Sequence, residues 1–327
     1  MQMRAMSWVL AVIAGCGACA AQAGQPLVLV RRIPLAGVQG RIDHLSADVE
    51  GKRLFVSALG NGTVEVIDAR TGQRTGEITG LERPQGVLYD AAVGRVFVAS
   101  DGDGTLRSYN GKTLKPLATA QLGDDADNVR YDAQRGLVLV GYGGGGVAGF
   151  DAELKKKLDV PTPGHPESFQ VETKGTRMFV NVPEARLVGV WNAQDGRRLG
   201  TWPDEKAHGN FPMALDERDG LVLVGFRQPA TLEVLDAKTG TLMNSAEIVS
   251  DTDDVFFDAQ RGRVYAIGGG GAVDVFALTA GKLSKVQTVE TRGGARTGLF
   301  VPACKRLFVA VPRQGGAQAE LLEFRVQ

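Results

Sequence analysis

Four carboxylates and three histidines in this chain stand where chemistry could be done. Asp43, Asp127, Glu167 and Asp253 fall at matching places in a repeating pattern, as do Gln85, Phe211 and Arg296. Convergent carboxylates suit a hard cation such as Ca²⁺ or Mg²⁺. The same acids could instead contact a cationic or sugar-like ligand, or form a wet ring partly paired with Arg41, Arg83 and Arg296. His44 follows Asp43 directly and could serve as a general acid–base group. His165 and His208 belong to later repeats, so one metal held by all three histidines is not expected. The row one residue further on reads His44, Gly86, Asn128, Ser168, Pro212, Asp254 and Thr297. Both rows vary between repeats where the turn residues do not. The candidate ligand contacts are therefore Asp43, His44, Gln85, Asp127, Asn128, Glu167, Asp253, Asp254 and Arg296. No catalytic residue is assigned, because no HExxH, nucleophile elbow or Ser-His-Asp order is present. The acidic groups Asp124, Asp125, Asp127 and Asp251, Asp253, Asp254 do not match the EF-hand spacing.

These rows are defined by a repeat. Phe55, Phe97, Leu139, Phe179, Leu223, Tyr265 and Phe308 recur at intervals of 40 to 44 residues. Each candidate of the first row lies twelve residues before one of these anchors. The stretch 43–78 states the plan: an apolar stretch ending in Asp48, a Gly51 turn, the run Arg53–Ser57, a Gly60–Gly62 loop, the run Thr63–Ile67, the turn Asp68–Gly72 and a last strand. Asp opens such turns by capping local N–H groups, and Gly supplies positive φ at the end. Seven copies of a four-strand unit predict an all-β, seven-bladed β-propeller with four antiparallel strands per blade. The last blade has room for only three strands before the C-terminus. The segment Leu27–Ile33 is expected to add its outer strand and close the ring, leaving no open edge. Residues 26–327 then form a single propeller domain. On such a scaffold the loops leading into the inner strands gather round a central channel, where ligands are expected.

The glycine runs Gly143–Gly146 and Gly268–Gly271 fall between second and third strands. They read as hairpins, and no strand–glycine–helix context supports nucleotide binding. Trp191 and Trp202 read as packing residues of blade 4. In that blade Pro183–Arg186 replaces the glycine loop.

The units Arg53–Val56 with Val64–Asp68, and Arg95–Ser100, resemble the YVTN-type propeller repeats of the YncE-like family. The family tetrad is here Phe55-Val56-Ser57-Ala58 and Phe97-Val98-Ala99-Ser100, while the turns Asp68–Gly72 and Asp236–Gly240 match well. The resemblance covers nearly the whole chain after the leader. It implies the propeller fold, and its motif residues are structural.

Residues 1–23 read as an export signal: Arg4, then the short apolar core Trp8–Gly15. Cleavage after Ala23 would release a soluble protein. The box Ile13–Cys16 would instead make a lipoprotein signal of residues 1–15, anchored through Cys16, the one membrane contact expected. Either route leads to a periplasmic or secreted protein. The 37 basic and 37 acidic residues balance, so the broad basic footprint of a nucleic-acid binder is missing. Cys16 and Cys19 are followed by Ala20, not His, so haem attachment is not expected. Cys304 stands in a turn with no His near it in sequence. Quinoprotein propellers carry a recurrent Trp docking motif, and only Trp191 and Trp202 follow the leader, so pyrroloquinoline quinone is not expected. The sequence thus points to a monomeric binding or scaffold propeller whose partner is a protein or small ligand. A lactonase- or gluconolactonase-type hydrolase using channel carboxylates and a divalent cation is the alternative.

Overall fold

The computed structural model describes residues 24–204 and 206–327. The signal-peptide and lipoprotein readings, with Cys16 and Cys19, lie outside the described residues. Seven sheets of four antiparallel strands follow one another along the chain. Blade 1 comprises Leu45–Asp48, Arg53–Ala58, Thr63–Asp68 and Arg74–Ile78. Each later blade repeats this order from its inner to its outer strand.

The repeat read from the sequence is a register in space. In every blade the anchor residue pairs with the inner-strand residue nine positions before it, from Ser46↔Phe55 to Leu299↔Phe308. All seven anchors are buried. A register shift separates third and fourth strands in each of the first six blades. Such bulges add right-handed twist, which a propeller blade requires.

The turn chemistry is as the sequence implies. The Asp68 carboxylate accepts the N–H groups of Arg70 and Thr71 at 2.8 and 2.9 Å, and Asp236 repeats this with Lys238 and Thr239. One detail differs. Gly51 does not supply the left-handed residue of its turn; Lys52 does, at φ 54°. Gly51 is needed for space, since a Cβ there would lie 2.1 Å from the Asp48 carboxylate.

A four-stranded sheet has two faces and must cover both. Among the described residues, seven apolar clusters each join two consecutive blades. Seven interfaces for seven blades make a closed ring, because an open row would have six. The closing interface is between blades 7 and 1, where Ile33, Phe308 and Leu321 pack on Leu54, Val56 and Ile67. The outer strand of blade 7 is Leu27–Pro34, paired antiparallel with Glu320–Val326. Trp191 is buried in the cluster between blades 3 and 4, and Trp202 packs 5.5 Å from Phe179.

Arginine latches reinforce the ring. Arg53 is held by Asp48 at 2.7 Å and donates to the Gly111 carbonyl of the next blade at 2.6 Å. Arg95 and Arg177 reach Ala152 and Ala237 of their next blades in the same way. At the closure Arg31 binds Glu323 and donates to the Arg70 carbonyl of blade 1 at 2.7 Å.

Leu27 and Ile33 are at most 1% exposed, and a buried Leu or Ile truncated to Ala costs about 2–5 kcal/mol. Leu27→Ala and Ile33→Ala should each destabilise the chain by that amount in urea unfolding. A cost below about 1 kcal/mol in both would show that the ring is stable without this strand.

Candidate functional site at the channel mouth

The inner strands start around the channel, and the loops before them bring the first candidate row together. Asp43 and Asp127 are 1% and 7% exposed, so they are not the solvated acids of a wet ring. Gly86, which stands between His44 and Asn128 in the second row, lets the blade 3 loop come close. A Cβ at Gly86 would meet the Asp127 carbonyl at 2.1 Å, so only glycine lets that loop approach.

Two groups form around Asp127. In the first, His44 Nε2 stands 3.7 Å from Asp43 Oδ1 and 3.8 Å from Asp127 Oδ1. His44 Nδ1 is 3.9 Å from Asp254. All three separations exceed hydrogen-bond reach. In the second, ligand atoms of Asp127, His165 and Glu167 lie within 4.8 Å of one another. His165 Nδ1 is 3.1 Å from the Gly143 carbonyl and 3.3 Å from Asp125. A donated bond to that carbonyl puts the proton on Nδ1 and leaves Nε2 with the lone pair.

The compensation of charge is uneven. Asp253 is paired with Arg227, whose guanidinium lies 3.5 Å from the Phe211 ring centre. Asp43 Oδ2 faces Arg41 at 3.0 Å. Asp254 accepts the Gly298 N–H at 2.8 Å. Arg296 pairs with Asp251 at 2.9 Å, and Arg83 with Asp101, so neither forms an ion pair with a first-row acid, although the Arg296 charge still acts on Asp43. Gln85 donates to Asp125 at 3.4 Å. Asn128 donates to the Glu167 carbonyl, and its own Oδ1 is buried without a partner. Asp127 Oδ1 is likewise buried and unpartnered, with the His44 imidazole 3.8 Å away and the charge of Arg41 acting from further off.

Burial sets the protonation of the cluster. It lifts Asp127 well above the usual carboxylate range, aided by Asp43 and Glu167 nearby. It lifts Asp254 likewise and raises Asp43 and Asp253. Glu167 is pushed up to about 7, by burial first and with the Asp253 charge adding to it. His44 is pushed down to about 3 by burial and by the Arg130 charge. It is therefore a neutral imidazole at neutral pH, a lone-pair donor and not an acid.

Two spaces that share Glu167 and Asp253 are lined by many of these residues. The mouth cavity, about 270 Å³, is walled by Arg41, Arg83, Gln85, Asp127, His165, Glu167, Phe211, Arg227, Asp253 and Arg296. The deeper channel space, about 240 Å³, includes His44, Asn128, Arg130 and Asp254. His208 stands apart from both, 2.9 Å from Arg186. Cys304 is free and exposed away from the mouth.

The sequence missed three contributors. Arg130 occupies the register position opposite its anchor, where the other blades carry Ser46, Leu88, Gln170, Ala214, Phe256 and Leu299; it is the one charge in that row. Arg227 and Asp101 each follow their anchor by four residues, in loops that reach the same face. Comparing those rows across blades would have found all three.

The fold and site define a seven-bladed β-propeller with a closed, charge-lined channel mouth. No family model matches the chain, and no curated protein matches it. Among solved structures it is similar to a chain of "Crystal Structure of Mitotic Checkpoint Complex", with a TM-score of 0.76 and 12% identity over 100% of this chain and 99% of that one. At that identity the likeness shows the propeller fold alone.

The raised Glu167 carboxyl has a measurable consequence. The folded chain holds this proton more tightly than the unfolded chain does, so protonation stabilises the fold. That stabilisation is complete below the ordinary value of 4.5 and is lost as pH rises through about 7. Asp204, also pushed up to about 7, adds to the same window. The melting temperature should therefore fall with rising pH across this range, and Glu167→Gln should flatten the fall. An equally steep profile in the variant would mean that Glu167 titrates normally.

Proposed function

We propose that this chain is an exported β-propeller of the YVTN-repeat type that binds a small, positively charged ligand at its channel mouth. The observation that carries the reading is the buried, unpartnered Oδ1 of Asp127, set between Asp43 and Glu167 beside a cavity. A buried carboxylate without a partner is costly. A ligand that brings charge or donors removes that cost and is selected by it. Export rests on the leader pattern of residues 1–23. Membership of the repeat family rests on the strand and turn motifs around Phe55 and Asp68. Binding without covalent chemistry agrees with the missing catalytic signatures, and the protein acts as a monomer.

One observation favours a second reading, a propeller hydrolase of the lactonase type. A carboxyl titrating near 7 can give and take a proton at neutral pH, and Glu167 has that property. A screen of lactone hydrolysis separates the readings: turnover abolished by Glu167→Gln would establish the enzyme.

The binding reading is tested by thermal shift with small amines, guanidines and polyols, with EDTA present so that metals do not contribute. Cationic compounds should raise the melting temperature of the parent by several degrees and that of Asp127→Asn much less. A panel without effect, or hits unchanged by Asp127→Asn, would sink the reading.

A further inference from the structure

The two groups that share Asp127 differ from an oxygen-only cage, because each includes one imidazole. We propose that the channel mouth is a divalent-metal site of the first-row type, with zinc as its probe. Asp43, His44 and Asp127 form one position, Asp127, His165 and Glu167 a second, and Asp127 serves both. The proposal rests on the binding reading above and names the ligand class.

Four observations support it. First, the gaps around His44 fit a cation. At 3.7 and 3.8 Å they are too long for hydrogen bonds, while two metal–ligand bonds of about 2.1 Å span separations up to about 4.2 Å. Second, Asp127, 7% exposed, turns an unpartnered Oδ1 towards His44. Third, Asp43 divides its oxygens. Its Oδ2 lies 3.0 Å from Arg41 as an ion pair without a formed hydrogen bond, and its Oδ1 is the atom that faces His44, so the arginine does not occupy the proposed ligand atom. Fourth, His165 is held from behind. Its Nδ1 meets the Gly143 carbonyl and the Asp125 carboxylate, and Gln85 steadies Asp125 in turn. Metal-binding histidines are oriented by such partners.

The donor set also chooses among metals. Imidazole with carboxylate suits zinc and its first-row neighbours, whereas Ca²⁺ and Mg²⁺ prefer oxygen alone. The competing account is a proton: Asp127 could satisfy its burial by remaining protonated, with no metal at all. The experiment must separate these.

Zinc binding is measured by titration calorimetry and elemental analysis on chelator-stripped protein. The background carries Cys16→Ser, Cys19→Ser and Cys304→Ser, because free thiols take zinc by themselves. One to two equivalents should bind, and a hundredfold excess of Ca²⁺ should not displace them. Asp127→Asn should weaken binding by about 100-fold or more, and His44→Gln and His165→Gln by at least about 10-fold each. Asp127→Asn should melt no lower than the metal-free parent, because it removes a buried uncompensated acid; if it fails to fold, the two histidine variants carry the test. No zinc in the parent, or affinity unchanged in Asp127→Asn or in both histidine variants, overturns the proposal. If zinc fails while organic cations still shift the melting temperature in EDTA, the metal inference falls and the binding reading stands. If both fail, Asp127 is a protonated acid and both readings go.

Discussion

The whole molecule depends on covering both faces of seven sheets. No blade can do this alone, and each gains its cover from two neighbours. The end blades of a row would each leave one face bare. Pairing Leu27–Pro34 with Glu320–Val326 removes that problem by completing the seventh blade. The apolar cluster of Ile33, Phe308 and Leu54 then closes the ring. Arg31 shows how closely the closure is held: it is bound to Glu323 within its own blade and to backbone carbonyls of blade 1. The same arrangement of arginine, carboxylate and next-blade carbonyl recurs at Arg53 and Arg177. The polar latch and the apolar interface therefore select the same neighbour.

Closure also creates the site. A ring of blades brings seven equivalent loop positions to one small space, whatever residues stand there. Positions that would be ordinary surface on an open sheet become buried, and charges placed there lose water. The fold makes charge at Asp43 and Asp127 expensive. Gly86 shows that the sequence accommodates the crowding: the one position without a side chain is where the Asp127 backbone comes in.

Architecture was legible in the sequence because it is written seven times. The anchors recur at nearly constant spacing, and their constant cross-strand partner turns that spacing into a register. Turn residues such as Asp68 and Asp236 could be read because their chemistry is local. The channel mouth was legible by position and not by state. Counting twelve back from each anchor found Asp43, Asp127, Glu167 and Asp253, and the fold does bring them to one mouth. Counting could not reveal that Arg227 takes Asp253 while Arg296 turns to Asp251. Those pairings depend on side-chain reach between blades, which no single repeat encodes. Burial was missed for the same reason, since it arises only when the ring is closed.

The repeat itself supplies the strongest argument that the mouth does something. A symmetric scaffold needs no particular charge pattern there, and neutral residues would cost less. In blades 5 to 7 Arg227 and Arg296 answer Asp253 and Asp251, while Asp254 accepts only the Gly298 N–H. On the side of blades 1, 3 and 4, Asp43 has Arg41 as its partner. Among the described residues no arginine forms an ion pair with Asp127 or Glu167; the charges of Arg41 and Arg130 act on Asp127, and those of His165 and Arg227 on Glu167, only from further off. Asp127 and Glu167 are thus less closely compensated than Asp43 and Asp253, which have arginine partners. Burial leaves such acids to hold a proton or take a cation, and a neutral residue in their place would need neither. A buried acid without a close counter-charge, beside a cavity, is what a site for a positively charged ligand requires.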